Sequence, residues 1–209
     1  MMPKKYSKKA IQGSAPTNML TRYSCPYCLE TFDSFDAIKS HIIHSHRAES
    51  LPEPEGTINV TINGQKYKFQ VDPDWTLYYL IHDKLGLTGT KLMCDRGACG
   101  SCTVIMNGRP ILSCMTLAIE CNGKQIETVE GIAASNHPLV EAYVKHHCMQ
   151  CGYCTPGFVV TAKALLDRNL HPTEQDIREA LGGNLCRCGT YPQHPKAILE
   201  AAQTLREAQ

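Results

Sequence analysis

The chain has 209 residues, 43% of them hydrophobic, and its 21 Lys and Arg nearly cancel its 20 Asp and Glu. That composition supports two or three modest cores rather than a large catalytic cavity as well, and it supplies no global field for nucleic acid or a membrane surface. No apolar run reaches the roughly 20 residues of a membrane span, and residues 1–18 lack both the apolar stretch of a secretory signal and a twin-arginine pair, so a cytoplasmic setting is expected.

Twelve cysteines in a secreted chain would suggest a disulfide framework. Here they are bunched: Cys25 with Cys28, Cys99 with Cys102, Cys148, Cys151 and Cys154 together, and Cys186 with Cys188. Disulfide partners usually bridge distant segments, whereas ligands to one metal recur at such short intervals. Metal sites in a reducing compartment are therefore expected.

In chain order, residues 1–24 carry Lys4, Lys5, Lys8, Lys9 and Arg22 with no acid and are expected to be a disordered basic tail. Residues 25–47 follow the C2H2 zinc-finger pattern, Cys25-x2-Cys28-x3-Phe32-x5-Ile38-x2-His41-x4-His46, with Phe32 and Ile38 as a miniature apolar core. Cys25, Cys28, His41 and His46 are the expected zinc ligands; His44 stands too close to His41 for the usual spacing. The helix positions that would face base edges, Ser34, Ala37 and Ser40, cannot make bidentate base contacts, and Asp33 and Asp36 would repel phosphate. A protein-docking element is expected there rather than a reader of nucleic acid.

Residues 48–56 are rich in Pro and Glu and are expected to form a linker. From Thr57 the pattern is strand-like: Ile58, Val60 and Ile62 alternate with polar residues, Asn63-Gly64 makes a hairpin turn, and Tyr67, Phe69 and Val71 alternate again. Leu77, Leu80, Ile81 and Leu85 predict a helix over residues 75–85, stopped by Gly86. Strands are predicted over 102–106, 110–114 and 126–129, with a turn at Asn107-Gly108, so residues 57–131 read as one helix over a mixed sheet. Within them Cys94-x4-Cys99-x2-Cys102, followed by Cys114, has the plant-type ferredoxin spacing that holds a 2Fe-2S cluster. Gly97 and Gly100 are expected at positive φ, turning backbone N–H groups toward the sulfurs, and Cys114 is expected to arrive on a neighbouring strand.

Residues 132–209 lose the strand signal, and apolar residues three and four apart predict helices over 138–147, 157–168, 174–181 and 195–207, with Thr173 and Asp176 capping the third. This half supplies Cys151, Cys154, Cys186 and Cys188. Their spacing is compatible with four-cysteine zinc, although the tight Cys186-Arg187-Cys188 pair favours iron-sulfur. Cys121 is expected to pack as a small apolar residue, and Cys148 offers the same region a third thiol.

Four motifs carry a family resemblance: Gly89-Thr90-Lys91-x2-Cys94-x2-Gly97-x-Cys99-Gly100-x-Cys102-Thr103-Val104, Ser113-Cys114-x-Thr116-Leu117, Gln150-Cys151-Gly152-Tyr153-Cys154-Thr155-Pro156-Gly157 and Gly183-Asn184-Leu185-Cys186-Arg187-Cys188. Over roughly residues 57–207 the chain resembles the iron-sulfur subunit of the xanthine oxidase and aerobic carbon monoxide dehydrogenase family of molybdenum hydroxylases. The resemblance implies an α+β fold, a ferredoxin-like β-grasp domain followed by an all-α four-helix bundle, here preceded by the added zinc finger. It implies two 2Fe-2S clusters, one on Cys94, Cys99, Cys102 and Cys114 and one on Cys151, Cys154, Cys186 and Cys188, selecting Cys151 and Cys154 over Cys148. It further implies a large subunit carrying molybdopterin, with Gln150 and Cys188 against the pterin. Electrons would pass from the second quartet to the first and on to FAD or a cytochrome. Met93 stands where glycine is usual, and Gly189-Thr190-Tyr191-Pro192 resembles two-subunit relatives that lack a flavin subunit. A stand-alone ferredoxin and an iron-sulfur sensor binding nucleic acid through the finger are the rival readings.

Overall fold

The computed structural model describes residues 22–25, 27–46 and 56–208. Nearly all of the basic tail over 1–24 and of the linker over 48–56 lies outside the described residues. The chain divides into two compact units, Met1–Glu53 and Pro54–Gln209.

In the first unit, β1 (Tyr23–Ser24) pairs antiparallel with β2 (Thr31–Phe32), and α1 (Phe35–Ser45) follows. Ser34 caps α1 by accepting from the Ala37 N–H at 3.2 Å. Ile38 is buried, and the Phe32 ring lies 4.7 Å from that of His41.

The second unit opens on the hairpin of β3 (Thr57–Ile62) and β4 (Gln65–Gln70). Asn63 and Gly64, both at positive φ, make the turn whose twist matches the flanking strands. A second hairpin, β5 (Thr103–Met106) and β6 (Arg109–Leu112), turns the same way at Asn107 and Gly108. With β7 (Gln125–Glu127) these form a mixed sheet of order β4-β3-β7-β5-β6, in which only β3 and β7 run parallel. Alternation buries Ile58, Val60 and Ile62 against Leu77, Leu80, Ile81, Val104 and Ile126. Each such fully buried aliphatic contributes on the order of 1.5–3 kcal/mol.

Three expectations need correcting here. The helix predicted over 75–85 starts only at Leu77, capped by the Thr76 hydroxyl, and after α2 (Leu77–Tyr79) it widens into a π-helix, Leu80–Lys84, with Leu85 N–H donating to Leu80 C=O. The strand predicted to deliver Cys114 ends at Leu112; Cys114 lies in a 3-10 turn, Ser113–Met115, because the Ser113 N–H and hydroxyl both bond the Cys102 carbonyl. Val129 does not close a strand but opens a short helix, α3 (Val129–Ala134).

Then come α4 (Pro138–Lys145), α5 (Thr155–Leu166), α6 (Glu174–Leu181) and α7 (His194–Glu207). Helix α4 packs on α5 and α7, and α6 packs on the same two. Thr173 and Asp176 form the reciprocal cap of α6. Helix α5 starts two residues before the prediction, directly after Cys154, and is apolar nearly all round because its other side packs on β5 and β6. It thereby fixes the helical half on the sheet.

Candidate metal centres

In the first unit the ligand atoms of Cys25, Cys28, His41 and His46 all lie within 4.8 Å of one another. Cys28 Sγ is 3.3 Å from His41 Nε2, and the Glu30 carboxylate stands 3.4 Å from His41 Nδ1, where a carboxylate would orient the imidazole for a metal. Burial pushes the Cys25 thiol up, but N–H groups of Tyr27 and Cys28 outweigh it and bring it below its ordinary value. His44 turns away, its Nδ1 2.7 Å from the Ser40 carbonyl on its own helix.

In the second unit the cysteines of the first quartet act on one another in couples: the Cys99 thiol helps to lower Cys94, and the Cys114 thiol helps to raise Cys102. The loop that carries them needs its glycines. Gly97 and Gly100 both have positive φ, and a Cβ on Gly100 would come within 2.6 Å of the Asn184 amide and of the Gly183 carbonyl. The Arg96 N–H is the main influence lowering the Cys94 thiol to about 7, helped by Ala98 N–H and by Cys99, while burial pushes Cys102 up to about 12.

The second quartet couples Cys151 with Cys188 and Cys154 with Cys186. Cys154 is the N-cap of α5, so its sulfur sits at the positive end of that helix. Burial acts on both thiols of the inner couple. It carries Cys154 up to about 12, whereas at Cys186 the Thr190 hydroxyl and N–H reverse it and bring the thiol to about 7. Cys151, Cys188 and Gln150 are exposed, and so are Met149, Tyr153, Leu185 and Tyr191, near them in sequence. Cys121 is packed in the sheet core, and Cys148 in the helical core.

The two quartets meet back to back. Leu185 N–H donates to the Cys99 carbonyl at 2.9 Å, the Asn184 amide to the Gly100 carbonyl at 3.0 Å, and the Tyr153 hydroxyl to the Leu92 carbonyl at 2.7 Å. Nothing in the spacing of the motifs announces Asn184 or Gly157 as the contact between them.

Among the described residues only the finger quartet gathers its ligand atoms tightly enough for a single ion. The other two quartets are sets of soft thiols, the donor type that suits a binuclear iron-sulfur centre.

Comparison with known proteins agrees. Residues 60–131 match the 2Fe-2S iron-sulfur cluster binding domain family, and residues 128–199 match the [2Fe-2S] binding domain family. The small subunit of nicotine 6-hydroxylase from Paenarthrobacter nicotinovorans is 42% identical over 151 residues, 72% of this chain and 92% of that one. Quinoline 2-oxidoreductase from Pseudomonas putida 86 superposes with a TM-score of 0.69 at 41% identity, covering 72% of this chain and 96% of that one. The aldehyde oxidoreductase of Desulfovibrio desulfuricans gives 0.70 at 38% identity, covering 72% of this chain but 17% of that longer one.

Proposed function

Because the chain belongs to the small 2Fe-2S subunits of the molybdenum hydroxylase family, we propose that it takes electrons from a molybdopterin site on a large subunit and passes them through two clusters to an acceptor on another subunit. As in its relatives, the chain is the iron-sulfur subunit of an oxidoreductase. In this reading Cys151, Cys154, Cys186 and Cys188 hold the entry cluster, and Cys94, Cys99, Cys102 and Cys114 hold the exit cluster. The observation that carries it is the hydrogen bond from Leu185, beside Cys186, to the carbonyl of Cys99, which ties one quartet directly to the other. Bound clusters supply one-electron carriage, and this chain's residues fix their separation and the polarity around their sulfurs.

The large subunit docks over the exposed face bearing Gln150, Cys151 and Cys188, where Met149, Tyr153, Leu185 and Tyr191 leave apolar surface uncovered. There Gln150 and Cys188 would touch the pterin. Thiols standing free throughout the chain suit a cytoplasmic complex, and among the described residues no helix is long and apolar enough to cross a membrane. FAD, a cytochrome or another acceptor takes the electrons. The finger binds one zinc through Cys25, Cys28, His41 and His46 and serves as a docking element, zinc being the ion that suits two thiolates and two imidazoles gathered this tightly.

Purification of the native complex tests these assignments. A molybdopterin-containing large subunit should copurify, with about four irons and one zinc for each copy of this chain. Recovery of the chain alone would overturn the relay, and two irons would remove one quartet.

A further inference from the structure

Behind the second quartet, a file of side chains leads from sulfur into the helical core. Thr190 Oγ1 lies 3.1 Å from Cys186 Sγ, and His194 Nε2 lies 3.2 Å from the same oxygen. Both residues are covered, Thr190 being 8% exposed and His194 1%. The imidazole stacks on Phe158 at 4.2 Å with an interplanar angle of 10°, and tilts against Tyr143 at 5.4 Å. It cannot swing away without leaving the core.

Proton counting sets the direction of these bonds. An iron-bound Cys186 is a thiolate and only accepts, and Thr190 has one hydroxyl proton. Thr190 therefore serves the sulfur without competition only if its oxygen accepts from His194. Burial pushes the imidazole down to about 4, so it is neutral near pH 7 and carries one proton. With that proton on Nε2, His194 donates to Thr190 and Thr190 donates to sulfur; the buried Nδ1, which has no partner among the described residues, is then a bare lone pair. With the proton on Nδ1, an N–H would be orphaned in the core, and Nε2 would compete with sulfur for the Thr190 proton. An orphaned buried donor is the rarer and costlier arrangement.

We propose that His194 aims the Thr190 hydroxyl at the Cys186 sulfur, and that this relay raises the reduction potential of the cluster held by Cys151, Cys154, Cys186 and Cys188. A hydrogen bond to a ligand sulfur draws off negative charge and favours the added electron. Thr190 acts on the sulfur directly, and His194 is its positioning residue. The relay deepens the reading of this quartet as a cluster site and stands on it.

The test is a reductive titration of the full chain in its complex, followed by electron paramagnetic resonance, which reads the two clusters separately. Thr190→Val should make the entry cluster about tenfold harder to reduce, a fall of 59 mV for a one-electron couple. Thr190→Ser should keep the wild-type midpoint. His194→Phe should lower it in the same direction, and His194→Gln, whose side-chain amide can donate from a similar place, should restore it. The exit cluster should not move in any variant. An unchanged entry midpoint in Thr190→Val, or equal movement of both clusters, overturns the proposal; an unchanged midpoint in His194→Phe overturns the positioning role. The wild-type chain exchanged into D2O gives a reading that needs no variant: a strongly coupled exchangeable deuteron is expected at the entry cluster, and its absence overturns the relay. A wild-type chain with two irons and one cluster signal would instead sink the quartet assignment itself.

Discussion

The N–H of Leu185 donates to the carbonyl of Cys99 at 2.9 Å, so the residue beside Cys186 in one quartet is tied to a ligand-bearing residue of the other. The neighbouring Asn184 is buried and donates its side-chain amide to the Gly100 carbonyl at 3.0 Å, an oxygen that also accepts from the Thr103 hydroxyl. Asn184→Leu should therefore remove one bond without leaving that carbonyl unpartnered, at about 1 kcal/mol. The expected fall in Tm is roughly 2–4 °C, and electron transfer between the quartets, followed after rapid reduction, should slow. An unchanged transfer rate would show that the contact does not set the spacing.

Gly157 tests the same contact from the other side. A Cβ there would stand 2.3 Å from the Gly100 carbonyl oxygen and 3.1 Å from Ser101 Cα, both backbone atoms that cannot rotate aside. Gly157→Ala should force α5 off the ferredoxin-type loop, at about 1–3 kcal/mol. Thermal unfolding should show a larger loss than Asn184→Leu, with loss of iron.

Much of this architecture is legible in the sequence because it is written in local patterns. The alternation of Ile58, Val60 and Ile62, the two Asn-Gly turns and the Thr173–Asp176 cap each involve neighbours along the chain. What escapes such a reading depends on distant partners. The spacing of Leu77, Leu80, Ile81 and Leu85 suits an α-helix and a π-helix alike, and only the observed bond from Leu85 to Leu80 distinguishes them. Helix α3 begins Val129-Glu130-Gly131, a poor local helix signal, and is held by Glu130 accepting from Gly89 N–H at 2.7 Å, a residue 41 positions away. The cysteines of both quartets can be read from motifs, whereas the Asn184–Gly100 contact spans 84 positions and has no local signature.

His194 should also leave a mark on stability. Its folded value is about 4, against an ordinary 6.5, because burial disfavours the imidazolium. As pH falls the unfolded chain takes up the proton first, so this contribution is complete above pH 6.5 and is lost progressively toward pH 4. Urea midpoints measured across that window should fall more steeply for the wild-type chain than for His194→Phe. Parallel slopes would mean that the imidazole is not kept neutral by the core.

Cys25, Cys28, His41 and His46, the candidate zinc ligands, belong to the first unit and the two quartets to the second. Cys25→Ser should consequently abolish zinc binding and unfold residues 25–46, because a segment this small depends on its metal for folding. Iron content and the visible absorption of the clusters should stay at wild-type levels. Loss of iron together with zinc would show that the two units are coupled.

Cys148 and Cys151 lie three residues apart and should behave as opposites. Cys148 is 1% exposed within the helical core, and burial alone pushes its thiol up to about 11. Its N–H is spent on the Tyr143 carbonyl at 3.0 Å, closing the turn after α4. Cys151 is exposed, and the N–H of Tyr153 together with the Cys188 thiol lowers it. Burial raises Cys102 and Cys154 as well, so what separates these two is company: Cys151 stands with the Cys188 thiol, whereas Cys148 is packed among the apolar side chains of the helical core. Cys148→Ala should keep all the iron and cost about 1 kcal/mol from the small cavity. Cys151→Ala should lose the entry cluster while leaving Tm within a few degrees. Iron analysis and electron paramagnetic resonance on the two variants decide the matter, and a Cys148→Ala chain that lost half its iron would make Cys148 the ligand and Cys151 the bystander.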